Sequence, residues 1–182
     1  MLIRAYGLHW KRDDVFWGKQ KNPGRLLGKA QKRKADVDFR DQRGIYALYD
    51  DRYNLVYVGQ AGKATRETPK PKMLFDRLKD HRSDNLAERW TIFSWFGTRG
   101  VQDDNSLSPL RDEIGSNPQT VLDHMEGLIL ATADPPKNLR GPNFGGAVRY
   151  EQTRDQKLPP TWEEKFEEFF SRMVQEIAPV AK

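Results

Sequence analysis

Six polar side chains in this sequence have the types that hydrolyse a phosphate ester, and they follow at orderly intervals. Gly44-Ile45-Tyr46 is followed, after ten residues, by Tyr57-Val58-Gly59. Arg77 and His81 come next, four apart, then Glu126 in an otherwise apolar run, then Asn138 twelve residues later. Hydrolysing a phosphodiester needs an activated water, charge stabilisation at phosphorus and help for the leaving oxygen. The planar fork of Arg77 can grip a phosphate oxygen. Two phenols and an imidazole can hold and move protons. Glu126 is the sole acid between His124 and Ala133. A carboxylate on a mostly apolar helix is costly unless it is paired, exposed or metal-bound. Mg²⁺ is often held by one carboxylate together with the substrate phosphate.

These residues need elements to position them. Ile45 to Tyr49 reads as a strand, Asp50-Asp51-Arg52-Tyr53-Asn54 as a turn, and Leu55 to Val58 as a second strand. The resulting hairpin puts Tyr46 and Tyr57 on neighbouring strands. Pro69 and Pro71 keep the next segment out of a regular helix. Met73 to His81 reads as a helix with Leu74, Phe75 and Leu78 on its apolar face, so Arg77 and His81 project from one side. Trp90 to Phe96 reads as a third strand. Asn117-Pro118 opens a helix that runs to about Ala133, with Val121, Leu122, Met125, Leu128 and Ile129 facing the core. Thr161-Trp162-Glu163-Glu164 is a capping box opening a last helix. Its stripe of Trp162, Phe166, Phe169, Phe170 and Met173 reads as core packing or a dimer seam. A strand is expected within residues 1–10 and loop over 11–36. His9 and His124 read as structural residues.

The two tripeptides, the Arg-to-His step of four and the Glu-to-Asn step of twelve resemble the GIY-YIG nuclease family, in particular its restriction-endonuclease branch. The resemblance covers about residues 43–144. It implies an α+β fold: a small, mainly antiparallel three-stranded central sheet flanked by helices. It implies a Mg²⁺-dependent endonuclease, with Mn²⁺ a possible substitute, acting on double-stranded DNA and leaving 5′-phosphate and 3′-hydroxyl ends. By that resemblance Glu126 binds the metal and Arg77 stabilises the pentavalent phosphorus. Tyr46 is the general base, assisted by His81. Tyr57 binds phosphate or orients water, and Asn138 holds local backbone or substrate. A free tyrosine has a pKa of about 10, so Tyr46 needs nearby Arg77 and a metal to lower it. Two departures stand out. Ala61 occupies a position where the family often has serine. The stretch from Gly59 to Arg77 is long and carries Lys63, Arg66, Lys70 and Lys72, a candidate substrate-facing loop.

Charge is distributed unevenly. Residues 1–43 hold 12 basic and 5 acidic residues, residues 44–150 hold 14 of each, and residues 151–182 hold 5 basic and 7 acidic. The net +5 therefore belongs to the N-terminal arm, densest at Lys29-Ala30-Gln31-Lys32-Arg33-Lys34. Nucleic acid is the usual partner of such an arm, and Trp10, Phe16 and Trp17 offer candidate stacking faces among its charges. The expected organisation is a basic extension over 1–43 packed on the core, a nuclease core over 44–150 and a C-terminal amphipathic helix over 151–182. Mean hydropathy is −0.84, but the 20 aromatic residues argue against disorder. No run of about 18 apolar residues spans a membrane, and Arg4 follows Met1-Leu2-Ile3 too soon for a secretory signal. The absence of cysteine excludes disulfides, thiolate metal sites and thiol nucleophiles, and fits a cytoplasmic protein. Target choice must come from the arm, the long loop, a homodimer or a partner protein. Two alternatives to a DNA endonuclease are an RNA endonuclease and a catalytically silent nucleic-acid-binding subunit.

Overall fold

The apolar runs on either side of Asp50 form a hairpin because that carboxylate builds the turn. Asp50 Oδ1 accepts the backbone N–H of Arg52 (2.9 Å) and of Asn54 (2.8 Å), while Tyr53 takes a positive φ of 64°. In the computed structural model the strands of this hairpin are β4 (Gly44–Tyr49) and β5 (Leu55–Ala61), the second longer than its apolar run suggests. The structure describes residues 2–19, 21–32, 35–63, 70–110, 118–133 and 141–177. Arg33, Lys34, Arg66 and Asn138 lie outside the described residues.

The fold is mixed α+β, but its central sheet has five strands rather than the expected three, in the order β5-β4-β6-β1-β7. β6 (Ile92–Gly97) is the expected third strand. The two additional strands are β1 (Ala5–Lys11), antiparallel to β6, and β7 (Val148–Arg149), parallel to β1. Every residue of β6 is buried, as a strand covered on both faces must be. Its alternate residues feed different clusters: Phe93 and Trp95 pack with Trp10, Phe39 and Tyr150, whereas Phe96 packs with Ile3, Ala131 and Phe144. A second sheet, β3-β2-β8, joins Val37–Asp38, Leu27–Lys29 and Glu151–Gln152.

Residues 1–43 take part in both sheets. They supply β1, β2 and β3, and they are tied to the segment after β8 by a bidentate pair. Arg25 donates from Nε and Nη2 to Asp155 (both 2.7 Å), whose carboxylate is buried. Trp10 and Phe16 are buried core residues, and Trp17 is half-buried against Phe75 and Trp90 with Arg82 over its ring. The rings of Trp10 and Phe16 are used in packing and do not present stacking faces.

Three helices complete the described chain: α1 (Leu74–Asp80), α2 (Pro118–Ala133) and α3 (Trp162–Ile177). On α2, Ala131 is buried and Leu128 partly so, but Leu122, Met125 and Ile129 are exposed, so only part of the expected apolar face meets the core. The α3 capping box forms as expected. Thr161 N–H donates to Glu164 Oε2 (2.6 Å), and Glu164 N–H to Thr161 Oγ (3.2 Å). The stripe it opens is not core: Trp162, Phe166, Phe169, Phe170 and Met173 are all exposed. No described helix is long and apolar enough to cross a membrane.

Candidate active site

The antiparallel register of β4 and β5 sets Tyr46 opposite Gly59. A Cβ built on Gly59 would fall on the Tyr46 hydroxyl and ring, well inside contact distance. The glycine is needed because the phenol lies across it. Tyr57, two residues earlier on β5, is half-buried, with its ring 6.1 Å from that of Tyr46. Helix α1 docks beneath by burying Leu74, Phe75 and Leu78, and this places Arg77 and His81 beside the tyrosines. His81 caps the helix in αR geometry; its carbonyl accepts from the indole of buried Trp90 (3.0 Å), which fixes the ring's attachment.

Tyr46 is wholly buried, and its hydroxyl lies 2.8 Å from His81 Nε2. Burial pushes the Tyr46 phenol up to about 12; the Arg77 guanidinium beside it pulls the other way, and Tyr57 adds to the rise. His81 is also buried, and its other nitrogen, Nδ1, lies 2.6 Å from Asp84 Oδ2. Tyr57 packs edge-on against the His81 ring at 4.9 Å. Asp84 is a site neighbour that spacing did not suggest. It lies in irregular turn three residues past His81, and no helix or strand period points to it.

Tyr57, Lys63, Lys72 and Arg77 line an open depression of about 630 Å³ over the Val58–Gly59 backbone. Its charged lining is cationic only. Lys72 is paired with Asp80 (2.8 Å) at its edge. Arg77 Nε is buried with no hydrogen-bond partner, a costly condition for a guanidinium unless an incoming group relieves it. Among the described residues Arg77 has no carboxylate within ion-pair distance. Lys70 is exposed, and Lys32 lies elsewhere, in a depression with Lys29 and Arg149.

Glu126 does not join this group. It is exposed on α2 and lines a separate depression with Asp123, His124 and Asn143. The α2 face nearer the tyrosine hairpin carries His124, Met125, Leu128 and Ile129, which border an apolar groove with Ile45 and Phe96. His124 is buried; its Nδ1 accepts the Ile3 N–H (3.0 Å), and burial lowers its pKa. It serves packing, as expected. His9 takes a positive φ of 53° where the β1–β6 register shifts. Among the described residues, the lining of the tyrosine depression holds no donor set for a divalent cation. It offers three cationic side chains and no carboxylate, and no three His, Asp or Glu side chains gather to hold an ion among the described residues. Comparison with protein-family models, curated proteins and solved structures finds no match to this chain.

Proposed function

We propose that the protein is an endonuclease that hydrolyses phosphodiester bonds of DNA in the depression over Gly59, as the resemblance to the GIY-YIG family implies. The observation that carries this reading is Arg77. Its Nε is buried and unpartnered beside two tyrosine hydroxyls, in a depression whose other charges are Lys63 and Lys72. A phosphodiester supplies the missing anion, and a planar fork suits it better than a point charge.

The groups that meet substrate are then Arg77 and Tyr57, because Tyr46 has no exposed surface. Arg77 stabilises the added negative charge at phosphorus. Water forms the new P–O bond while the bond to the 3′ oxygen breaks, and that oxygen takes a proton from solvent. Tyr57 accepts the proton released by the water as it passes its own to Tyr46, which in turn hands one to His81. The base role implied for Tyr46 thus moves outward to Tyr57, with Tyr46 as the link behind it. Mg²⁺ enters only as a condition to vary, since the described depression has no donor set for it; Glu126 remains the ligand implied by the resemblance.

The test is cleavage of matched DNA and RNA duplexes, with Mg²⁺, Mn²⁺ or EDTA. DNA cleavage with 5′-phosphate products supports the reading, and RNA cleavage alone replaces it with a ribonuclease. The separation of Glu126 from the tyrosines favours a second reading: a nucleic-acid-binding subunit without catalysis. Salt-sensitive binding without cleavage under any of these conditions would establish that one instead.

A further inference from the structure

The hydrogen-bonded chain Tyr46–His81–Asp84 has a direction, and Asp84 sets it. The Asp84 carboxylate is held at both oxygens: Oδ1 accepts the Leu86 N–H (2.8 Å), and Oδ2 faces His81 Nδ1 (2.6 Å). Burial raises the Asp84 pKa, but the Leu86 and His81 contacts outweigh it and the net shift is downward. An ionised carboxylate can only accept. Nδ1 of His81 must therefore carry the proton. In a neutral imidazole that leaves Nε2 with a lone pair, and the Tyr46 O–H donates to it.

We propose that Asp84 is a positioning residue which fixes His81 as the Nδ1–H tautomer, so that Nε2 takes the Tyr46 proton and Asp84 balances the imidazolium that results. This rests on the endonuclease reading for its use in cleavage, but the tautomer itself does not. In the step, the Tyr46 O–H bond breaks and an Nε2–H bond forms. The phenolate is refilled from Tyr57, and the imidazolium later returns its proton to solvent. The charged and titratable groups facing the chain are Tyr46 from β4, Tyr57 from β5, Arg77 from α1 and Asp84 from the following turn. Arg77 assists by opposing charge build-up on the phenol. The logic is that of a carboxylate orienting a histidine for a hydroxyl, with tyrosine in place of serine. Sequence spacing could not show it, because Asp84 acts through a turn contact.

The experiment compares wild type, Asp84→Asn and Asp84→Glu. Ring ¹⁵N shifts of His81 report its tautomer without any need for activity. The wild type should show Nδ1–H. Asp84→Asn can offer its amide N–H to Nδ1 and should shift His81 to Nε2–H, with Asp84→Glu restoring Nδ1–H. In cleavage, Asp84→Asn should lower kcat about 10²- to 10⁴-fold with little change in KM, and Asp84→Glu should recover part of it. A wild-type Nε2–H tautomer overturns the proposal. So does an unchanged tautomer or unchanged kcat in a folded Asp84→Asn. A wild-type Nδ1–H tautomer that switches in Asp84→Asn, in a protein that cleaves nothing, upholds the tautomer assignment and removes the endonuclease reading.

Discussion

Gly59 stands opposite Tyr46 in the β4–β5 ladder, and the Tyr46 hydroxyl occupies the space where a side chain at Gly59 would go. The two motif tripeptides thus have a joint steric reason. One supplies a phenol and the other removes the atom that would block it. Gly59→Ala should displace the phenol from His81. Overpacking of this kind costs about 1–3 kcal/mol, and the contact that orients Tyr46 would be lost. Urea unfolding and cleavage measured on the same variant should both register it. A Gly59→Ala protein with wild-type stability and turnover would contradict this packing.

Tyr46 also predicts a pH dependence. Its proton is held to about 12 in the folded state, against an ordinary value of 10.0. The folded pKa is the higher one, so the associated stability is complete below about pH 10 and is lost as pH rises towards 12. Two units correspond to about 3 kcal/mol. Urea midpoints should fall more steeply with alkaline pH in wild type than in Tyr46→Phe. Tyr49 and Tyr6 are also raised by burial, but they are common to both proteins and cancel in the comparison. Parallel pH curves would show that the phenol is not held as described.

Arg77 should be intolerant of lysine. A lysine keeps the charge but cannot supply the fork, so Arg77→Lys and Arg77→Ala should both lower kcat, by about 10²- to 10³-fold. Lys63 lines the same depression without a comparable burial and should act as a phosphate contact. Lys63→Ala should weaken DNA binding and reduce the salt slope by about 1, with less effect on kcat. Full activity in Arg77→Lys would remove the reason for assigning it to phosphorus.

The tie between Arg25 and Asp155 tests the place of the N-terminal segment. Asp155 is buried and Arg25 partly exposed, so Asp155→Ala should destabilise the whole chain by about 2–3 kcal/mol, below the range for fully buried pairs. Burial raises the Asp155 pKa, but its bonds from Arg25 outweigh it and the net shift is downward. The stability from this pair is therefore present above the ordinary carboxylate range and is lost as pH falls through the lowered value. Chemical unfolding at pH 7 and in acid measures both. An Asp155→Ala protein with unchanged unfolding would mean that this pair does not hold the N-terminal segment to the chain after β8.

Local signals in the sequence were legible where local physics decides. Asp50 makes its turn, Thr161 and Glu164 cap α3, and the spacing of Leu74, Phe75 and Leu78 places α1. The grouping of Tyr46, Tyr57, Arg77 and His81 follows from a hairpin and a helix, both short-range elements. What failed was long-range. The pairing of β1 with β6 and β7 joins segments more than 80 residues apart, and no pattern within residues 1–11 announces it. Periodicity showed that Leu122, Met125 and Ile129 share an apolar helix face, but not what would cover them. Charge density suggested that Trp10 and Phe16 were ligand-facing, whereas their rings fill the core. Glu126 sits at the spacing that the resemblance requires, yet a spacing along the chain does not fix which face of α2 it occupies.

The measurement that bears most directly on the central claim is conversion of supercoiled plasmid by wild type and Arg77→Ala, each in Mg²⁺ and in EDTA, with circular dichroism to confirm that both are folded. The predicted result is nicked or linear product from wild type, absent from a folded Arg77→Ala. Supercoiled DNA left intact by a wild-type protein that retards it in a gel would contradict hydrolysis at this site. Equal cleavage by both proteins would contradict the role of Arg77.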